Sequence, residues 1–298
     1  MRREPICYLN GRYVPVSRAR VSALDRGFLF GEGLFETWRT YRGRPYAIRE
    51  HLARLSRTAR VIGIPFDADA DAFERRAIEL ARRNDMLERD GAIRLTITRG
   101  HGPVALVVQQ TTEPTTLMLF RPLEPDLAQA KRDGVAIHLF RVGSGVSEGA
   151  RQMKSINYLP AVIARTQARA RGCFEAVYTV DDRTVLEGTT SNLFVVRRGV
   201  ILTTPVSSGL LPGVTRQKVL RLAARLAKIR EQVVTVDDLE HADEAFLTAS
   251  TIEVVPVVRA GRRRIGGGRP GELTRALQVA YRRGVARRLG IELPDIGP

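Results

Sequence analysis

The order of apolar segments along the chain is the feature that most constrains its fold. An Asn10–Gly11 pair between apolar runs predicts an N-terminal β-hairpin, and helical spacing of apolar residues predicts amphipathic helices over 48–61 and 69–86. Further apolar runs predict strands at 91–100, 104–111 and 116–123. Strands and helices do not alternate regularly, which argues against a doubly wound sheet and indicates an α+β chain of two α/β domains.

The length of the chain bears on the number of domains. A chain of 298 residues is long for one hydrophobic core. A segment with two prolines separates a strand-rich first part from a larger mixed part. We therefore predict a small N-terminal α/β domain over 1–121, an interdomain linker over 122–131 and a large C-terminal domain over 132–298.

Several classes of protein are disfavoured by the residues that the chain lacks. No apolar run approaches the roughly 20 residues that span a bilayer, and no long apolar segment follows the charged N-terminus. We expect a cytoplasmic protein without membrane contact. Cys7 and Cys173 lie far apart and are expected to be reduced thiols, and the four histidines show no metal-ligand spacing, so we expect no metal.

The net charge of +16 raises the alternative of a nucleic-acid partner. The arginines, however, are spread along amphipathic stretches, and the densest cluster is the glycine-rich segment 261–272. The chain has no zinc-finger spacing and no aromatic-basic RNA signature. A specific nucleic-acid module is therefore the distant alternative.

Lysine is rare in this chain, which makes Lys154 conspicuous. The basic residues comprise 44 arginines and four lysines, at positions 131, 154, 218 and 228. Arginine stays protonated, whereas a lysine can lose its proton and act as a nucleophile or form a Schiff base. Rarity alone also fits a surface lysine without a chemical role.

Two segments have the residues of an anion site. In 209–220, Pro212 and Gly213 precede a helix that starts near Val214, and a helix N-terminus suits phosphate. Segment 248–253 places three hydroxyls within four residues. Arg54 on the first helix could add charge, and Glu187 could pair with a ring nitrogen. An ordinary helix start, a polar turn and solvated charged residues explain the same patterns.

Six motifs taken together resemble one family. They are DRGFLFGEGLFET, EHLARL, MKSINYLP, LEGTTSNLF, GLLPGVTRQ and FLTASTIEVVPV, and the chain resembles the class IV (fold type IV) pyridoxal-phosphate enzymes from about residue 8 to about residue 285. That family includes branched-chain aminotransferases, D-amino acid aminotransferases and aminodeoxychorismate lyases. The resemblance implies two α/β domains, the larger one mixed and barrel-like, with pyridoxal 5'-phosphate between them. It also implies a homodimer with sites near the subunit interface.

The resemblance implies roles for particular residues. Lys154 matches the catalytic lysine that forms the Schiff base, and Glu187 matches the carboxylate on the pyridine nitrogen. Tyr158 matches the tyrosine beside the phenolic oxygen, and Leu211 the leucine on the ring. The phosphate contacts fall on Arg54, Val214, Thr215 and Ser250, and Ser191 and Asn192 shape the wall beside Glu187.

The resemblance leaves the substrate open. The D-amino acid branch has a tyrosine where this chain has Phe35, and its Arg-x-His carboxylate trap is absent. The branched-chain Tyr-x-Arg motif appears with Ala92 and Arg94. We expect Phe30, Phe35, Arg94 and Thr251 to contact the substrate. The implied reaction moves an amino group between a branched-chain L-amino acid or a D-amino acid and a 2-oxo acid, and the alternative is the lyase reaction.

Overall fold

The computed structural model describes residues 4–107, 113–143 and 152–294, which form two compact units. The first unit comprises Met1–Leu123 together with Met153–Asn157, and the second comprises Glu124–Gln152 and Tyr158–Pro298. The short segment around Lys154 thus packs with the first unit, although it lies within the predicted C-terminal domain. The boundaries at 121 and 131 otherwise remain a prediction.

The first unit is built on an antiparallel sheet of six strands in the order β2-β1-β6-β5-β3-β4. The strands are β1 (Ile6–Leu9), β2 (Arg12–Pro15), β3 (Gly33–Tyr41), β4 (Arg44–Pro45), β5 (Gly91–Thr98) and β6 (Thr115–Arg121). The helices are α1 (Arg26–Phe30), α2 (Ile48–Val61) and α3 (Ala70–Arg83), with a 3-10 turn at Val16–Arg18.

The core of the first unit lies between one face of this sheet and the helices α2 and α3. Leu34 and Trp38 of β3 pack there with Leu52 and Leu55 of α2 and Leu80 of α3, all buried. Both predicted helices are confirmed, because an amphipathic pattern of period 3.6 is a local signal. The sheet face turned away from α2 carries the alternate residues of β3 and β5.

The strand predicted at 104–111 is wrong over Val104–Val107, and 108–111 lie outside the described residues. These apolar side chains are exposed, and no strand pairs with this segment among the described residues. Its carbonyls instead accept hydrogen bonds from the buried Arg26, which reaches Ala105 O at 2.6 Å. The apolar run predicted a strand, but the backbone of this segment is bound by the side chain of Arg26 and not by a neighbouring strand.

The second unit contains a mixed sheet in the order β12-β11-β10-β14-β15-β7-β8-β9-β13, with β16 paired to β15. Its strands are β7 (Val135–Arg141), β8 (Glu175–Val180), β9 (Thr184–Gly188), β10 (Asn192–Arg197), β11 (Val200–Thr203), β12 (Lys228–Glu231), β13 (Val234–Thr235), β14 (Glu244–Ala249), β15 (Glu253–Ala260) and β16 (Arg263–Arg264). The described helices are α4 (Leu127–Asp133), α5 (Leu159–Ala170), α6 (Val214–Ala223), α7 (Val236–Glu240) and α8 (Glu272–Leu289), with a 3-10 turn at Val206–Ser208.

This second sheet curls towards a barrel. β9 and β10 lie five positions apart in the hydrogen-bonding order, yet only three residues join them. The Gly188 amide donates to Ser191 O at 2.7 Å and closes that turn. The predicted α+β fold with a barrel-like second part is confirmed. In the described residues, no helix is both long and apolar enough to cross a membrane.

Candidate active site

Lys154 is attached to the sheet of the first unit by backbone hydrogen bonds. The Phe35 amide donates to Lys154 O at 2.9 Å, and the Ile156 amide donates to Gly33 O at 3.0 Å. Leu34 and Ser155 form an antiparallel bridge between these bonds. Because β5 occupies the other edge of β3, the segment 154–156 extends the sheet on the edge that β4 also uses. The backbone of Lys154 is therefore as fixed as a strand residue.

The side chains of Lys154 and Arg94 meet on the ring of Phe35. Lys154 Nζ lies 4.5 Å from the ring centroid, and the Arg94 guanidinium carbon lies 3.5 Å from it. Cross-strand pairing explains the second contact, since Phe35 faces Thr96 and Thr37 faces Arg94 in the β3–β5 register. Phe35 is buried and Arg94 is half-buried. Three residues predicted from separate motifs thus form one cluster of two cations on one aromatic ring.

Arg54 occupies the opposite face of β3, on α2, where it pairs with Glu36. Arg54 Nε donates to Glu36 Oε1 and Arg54 Nη2 to Glu36 Oε2, each at 2.7 Å, and His51 Nδ1 lies 2.7 Å from Glu36 Oε2. All three residues are buried. Neither Glu36 nor His51 was identified from the sequence. A signal for Glu36 was present in the sequence. Glu36 alternates with Leu34 and Trp38, so its carboxylate falls on the apolar face of the strand.

The protonation states of this cluster follow from its surroundings. Burial alone would raise the pKa of Glu36, but the charge of Arg54 and the hydrogen bonds of His51 and Arg54 hold that pKa well below its usual range. Burial lowers the pKa of His51, and Glu36 only partly opposes this, while Arg54 and Lys154 add to it. At neutral pH, His51 is therefore neutral and donates its Nδ1–H to an ionised Glu36.

Phe30 lies at the end of α1, where the guanidinium of Arg26 stacks at 4.6 Å from its ring centroid. The next residue, Gly31, ends the helix with φ of 69°. A Cβ on Gly31 would stand 1.9 Å from Oδ1 of Asn157, whose Nδ2 donates to Gly31 O at 3.3 Å. Only glycine satisfies both the left-handed backbone and this close approach, which fixes the chain after Lys154 against the loop after Phe30.

In the second unit, the carboxylate of Glu187 is held by two donors at the end of β9. Asn192 Nδ2 donates to Glu187 Oε2 at 2.8 Å, and the Leu211 amide donates to Glu187 Oε1 at 3.0 Å. The side-chain Nδ2 of Asn192 also donates to Leu211 O at 3.1 Å. Glu187, Asn192 and Leu211 therefore form one hydrogen-bonded group. Asn192 acts in it by orienting the carboxylate.

The turn between Glu187 and Asn192 rests on a second carboxylate, Glu175 of β8, which is fully buried. It accepts hydrogen bonds from the turn hydroxyls and from the arginine on α5, namely Thr189 Oγ1 at 2.5 Å, Thr190 Oγ1 at 2.9 Å, Ser191 Oγ at 3.2 Å and Arg165 Nη1 at 3.1 Å. Sequence reasoning missed Glu175, although a carboxylate within CFEAVYTV was a usable signal. Ser191 thus helps to hold the turn after Glu187 through its bond to Glu175.

The N-terminus of α6 has the features of an anion site. Gly213 is its N-cap, and no side chain of the described residues caps the helix. Val214 and Thr215, the first two helical residues, are buried. A Cβ on Gly213 would lie 2.0 Å from Asn192 Oδ1, so the glycine lets the helix start against the group that holds Glu187. Amides at such a terminus favour phosphate.

Ser250 and Thr251 lie half-buried in the three-residue turn between β14 and β15. Glu253 closes this turn with φ of 61°, in the left-handed region, and its buried carboxylate pairs with Lys131 and with Arg282. Tyr158 is half-buried at the N-cap of α5. In the described part of the chain, no three His, Cys, Asp or Glu side chains are grouped as a metal site would require.

Three relatives match the chain over nearly all of its length. A putative branched-chain-amino-acid aminotransferase of Methanocaldococcus jannaschii is 34% identical and covers 97% of this chain and 99% of its own. A D-alanine aminotransferase of Bacillus licheniformis is 34% identical over 93% and 95%. An aminodeoxychorismate lyase of Bacillus subtilis is 30% identical over 93% of each chain.

A solved structure shares the fold. The branched-chain amino acid aminotransferase of Thermobaculum terrenum, in its PLP form, superposes with a TM-score of 0.81 at 26% identity, over 97% of this chain and 96% of the other. The family model for amino-transferase class IV matches residues 33–260. The expected family, fold type, enzyme class and cofactor are thereby confirmed. The chain belongs to the class IV aminotransferases and is a transaminase that depends on pyridoxal phosphate.

Proposed function

We propose that this transaminase moves the amino group of an α-amino acid to a 2-oxo acid, with Lys154 as the catalytic residue. The observation that carries the proposal is the fixed lysine beside Arg94 on the ring of Phe35. Bound pyridoxal phosphate supplies an aldehyde that takes up the amino group and a ring that withdraws electrons from the substrate Cα. The side chains supply binding, orientation and proton transfer.

Lys154 Nζ has two tasks in this proposal. It would hold the cofactor covalently in the resting enzyme, and it would carry a proton between the substrate Cα and the C4′ carbon of the cofactor. The bond from the Phe35 amide to Lys154 O and the bond from the Ile156 amide to Gly33 O support this, because they fix the backbone and leave the side chain of Lys154 to move. An arginine at this position could do neither task, since its guanidinium stays protonated.

The hydrogen bonds of the second unit support the roles that we propose for its residues. Glu187 keeps the pyridine nitrogen protonated, and the donors Asn192 and Leu211 hold its carboxylate in one orientation. Leu211 packs on the ring, and Tyr158 contacts its phenolic oxygen. The phosphate accepts hydrogen bonds from four places, which are the Val214 amide, Thr215, Ser250 and Arg54. The N-terminus of α6, which no side chain of the described residues caps, supports this assignment.

Arg94 is proposed to bind the substrate carboxylate, with Phe30, Phe35 and Thr251 around the side chain. Its guanidinium is stacked on Phe35 and is therefore oriented to offer paired N–H donors to a carboxylate. The names of the relatives refer to branched-chain amino acids and D-alanine. We propose a branched-chain L-amino acid or a D-amino acid as the donor.

A second copy of the chain is the proposed partner. The first unit exposes apolar side chains on two adjacent segments, namely Val21, Leu24, Phe28, Val104, Leu106 and Val107. Phe28 is 78% exposed and Leu106 is 82% exposed. A hydrogen bond from the Gly102 amide to Leu24 O at 3.2 Å joins the segments. Such a patch favours a homodimer, and light scattering of the purified protein would contradict it by giving the mass of one chain.

Absorbance spectra of the enzyme with single donors test the reaction. D-alanine, L-leucine and L-glutamate are added in turn, and one of them should convert the aldehyde form of the cofactor to its amine form. That donor gives the stereochemistry and the side-chain preference. A cofactor-loaded enzyme that responds to no donor but releases pyruvate from aminodeoxychorismate would contradict the proposal and favour the lyase reaction.

Two lysine variants distinguish the loss of the Lys154 amine from the loss of a positive charge elsewhere in the protein. Lys154→Ala should lower kcat at least about 1000-fold, because it removes the group that moves the Cα proton. Lys228→Ala, which changes an exposed lysine of β12, should leave kcat unchanged. Borohydride reduction should attach the cofactor to the Lys154 peptide. Attachment at another lysine would contradict the assignment.

A further inference from the structure

The carboxylate of Glu36 holds the guanidinium of Arg54 by two parallel hydrogen bonds. Arg54 Nε and Nη2 each donate at 2.7 Å, one to each oxygen of Glu36. This bidentate geometry fixes the plane of the guanidinium as well as its position. The arginine side chain is long and has several rotatable bonds, so without such a partner its plane would be poorly defined.

Glu36 is itself held in place by His51. His51 Nδ1 lies 2.7 Å from Glu36 Oε2, the oxygen that also accepts from Arg54 Nη2. His51 and Arg54 stand three residues apart on α2, so both reach β3 from one helix face. The group therefore joins the strand that carries Phe35 to the helix that carries Arg54.

Stability alone is a weak reason for this group. Glu36 and His51 are each 1% exposed, and the Arg54 side chain is 8% exposed. Removing charges from water opposes folding, and apolar residues often replace a buried ion pair without loss of stability. Leu34 and Trp38 on either side of Glu36 show that this face could be wholly apolar. The charged group has a clearer use in orienting Arg54.

We propose that Glu36, supported by His51, is a positioning residue that sets the guanidinium of Arg54 for the phosphate of the cofactor. The inference rests on the proposed function, in which Arg54 is one of the phosphate ligands. Glu36 touches neither the reacting atoms nor the substrate. Its loss should therefore weaken recognition of the phosphate group and leave recognition of the pyridine ring unchanged.

Binding of pyridoxal phosphate and of pyridoxal, which lacks the phosphate, tests this distinction. Titration of the cofactor-free enzyme gives the phosphate preference, defined as the Kd of pyridoxal divided by the Kd of pyridoxal phosphate. Glu36→Gln should raise the Kd of pyridoxal phosphate about tenfold, the scale of one misplaced charged hydrogen bond, and leave the Kd of pyridoxal unchanged. An unchanged phosphate preference would overturn the inference.

The matched control is Asp90→Asn, which breaks another ion pair of β3. Asp90 Oδ2 accepts from Arg39 Nη2 at 2.7 Å, and neither residue belongs to the candidate site. This variant should leave the phosphate preference as in the wild type. A preference that falls as far in Asp90→Asn as in Glu36→Gln would show a general loosening of the sheet and would overturn the inference.

A further variant keeps the test valid if Glu36→Gln fails to fold. His51→Gln leaves the ion pair in place and should lower the phosphate preference by about threefold. Where Glu36→Gln does fold, the same change in an Arg54→Ala background should change the preference no further, because Glu36 acts only through Arg54. Additive effects of the two changes would overturn the inference.

The failure of the proposed function has its own signature. A wild-type enzyme that binds pyridoxal as tightly as pyridoxal phosphate would show that Arg54 and its companions do not hold a phosphate. In that case the proposed phosphate site falls. A wild-type preference for pyridoxal phosphate that survives in Glu36→Gln and in His51→Gln removes the positioning role alone.

Discussion

At the scale of single residues, consecutive positions of β3 carry an aromatic ring and a carboxylate that serve two different groups of side chains. Phe35 turns its ring to Arg94 and Lys154, while Glu36 turns its carboxylate to Arg54 and His51. Alternation along a strand explains this arrangement, because neighbouring side chains point to opposite faces. One strand therefore carries both the ring beside the proposed catalytic amine and the anchor of a proposed phosphate ligand.

The role of Arg94 gives a prediction at this scale. Arg94→Ala removes the guanidinium stacked on Phe35 and should raise KM for the amino donor about tenfold or more, with a smaller change in kcat. Steady-state kinetics with the donor found by spectroscopy measure both constants. Arg12→Ala, at an exposed position of β2 in the same sheet, should change neither. An unchanged KM for every donor in Arg94→Ala would contradict the role.

At the scale of elements, Asn192 connects a strand to a helix. It donates to Glu187 at the end of β9, and its Oδ1 occupies the space beside Gly213 at the start of α6. The carboxylate proposed for the ring nitrogen and the helix terminus proposed for the phosphate thus share one amide side chain. Moving either element would strain the other.

Substitution of Gly213 tests this connection. A Cβ at Gly213 would lie 2.0 Å from Asn192 Oδ1, so Gly213→Ala must displace the amide and, with it, Glu187. We expect the Kd of both pyridoxal phosphate and pyridoxal to rise about tenfold, since ring recognition suffers. Gly284→Ala in α8 is the control, because a Cβ there meets no atom of the surrounding described residues within 4 Å. It should stabilise the protein by up to about 1 kcal/mol in urea unfolding.

At the scale of the whole molecule, the buried histidine makes stability depend on pH. The pKa of His51 is lowered by burial, so the unfolded chain binds the proton more readily than the folded one. The contribution of His51 is therefore complete above its ordinary value of 6.5 and is lost as pH falls below it. Glu36, whose pKa is also lowered, adds a loss of the same sign at more acidic pH.

Urea unfolding at about pH 7 and about pH 5 measures this dependence. The free energy of unfolding should fall between the two, and His51→Gln should reduce the fall. Part of the fall in the free energy of unfolding should remain in His51→Gln, because burial lowers the pKa of His138 too. A pH dependence that is the same in wild type and His51→Gln would contradict the assignment of His51 as a buried neutral group.

Local patterns predicted part of this molecule, and pairing over long distances decided the rest. The helix over 48–61 was fully predictable, because its apolar spacing is contained within its own residues. Lys154 was identified from its neighbours in sequence. Its attachment to β3 could not be predicted from a local pattern, because the bond joins Lys154 to Phe35, which is far away in the chain. Glu36 and Glu175 were missed because their partners lie on other elements.

The alternation along β3 also limits how this protein can change over generations. A deletion or insertion of one residue before Phe35 would exchange the two faces, so that the ring of Phe35 leaves the face of Lys154 and the carboxylate of Glu36 leaves the face of Arg54. Both the amine and the arginine would lose their neighbours in a single event. Evolution can therefore change this strand by substituting residues, whereas insertions and deletions are confined to turns such as the one at Arg42–Gly43.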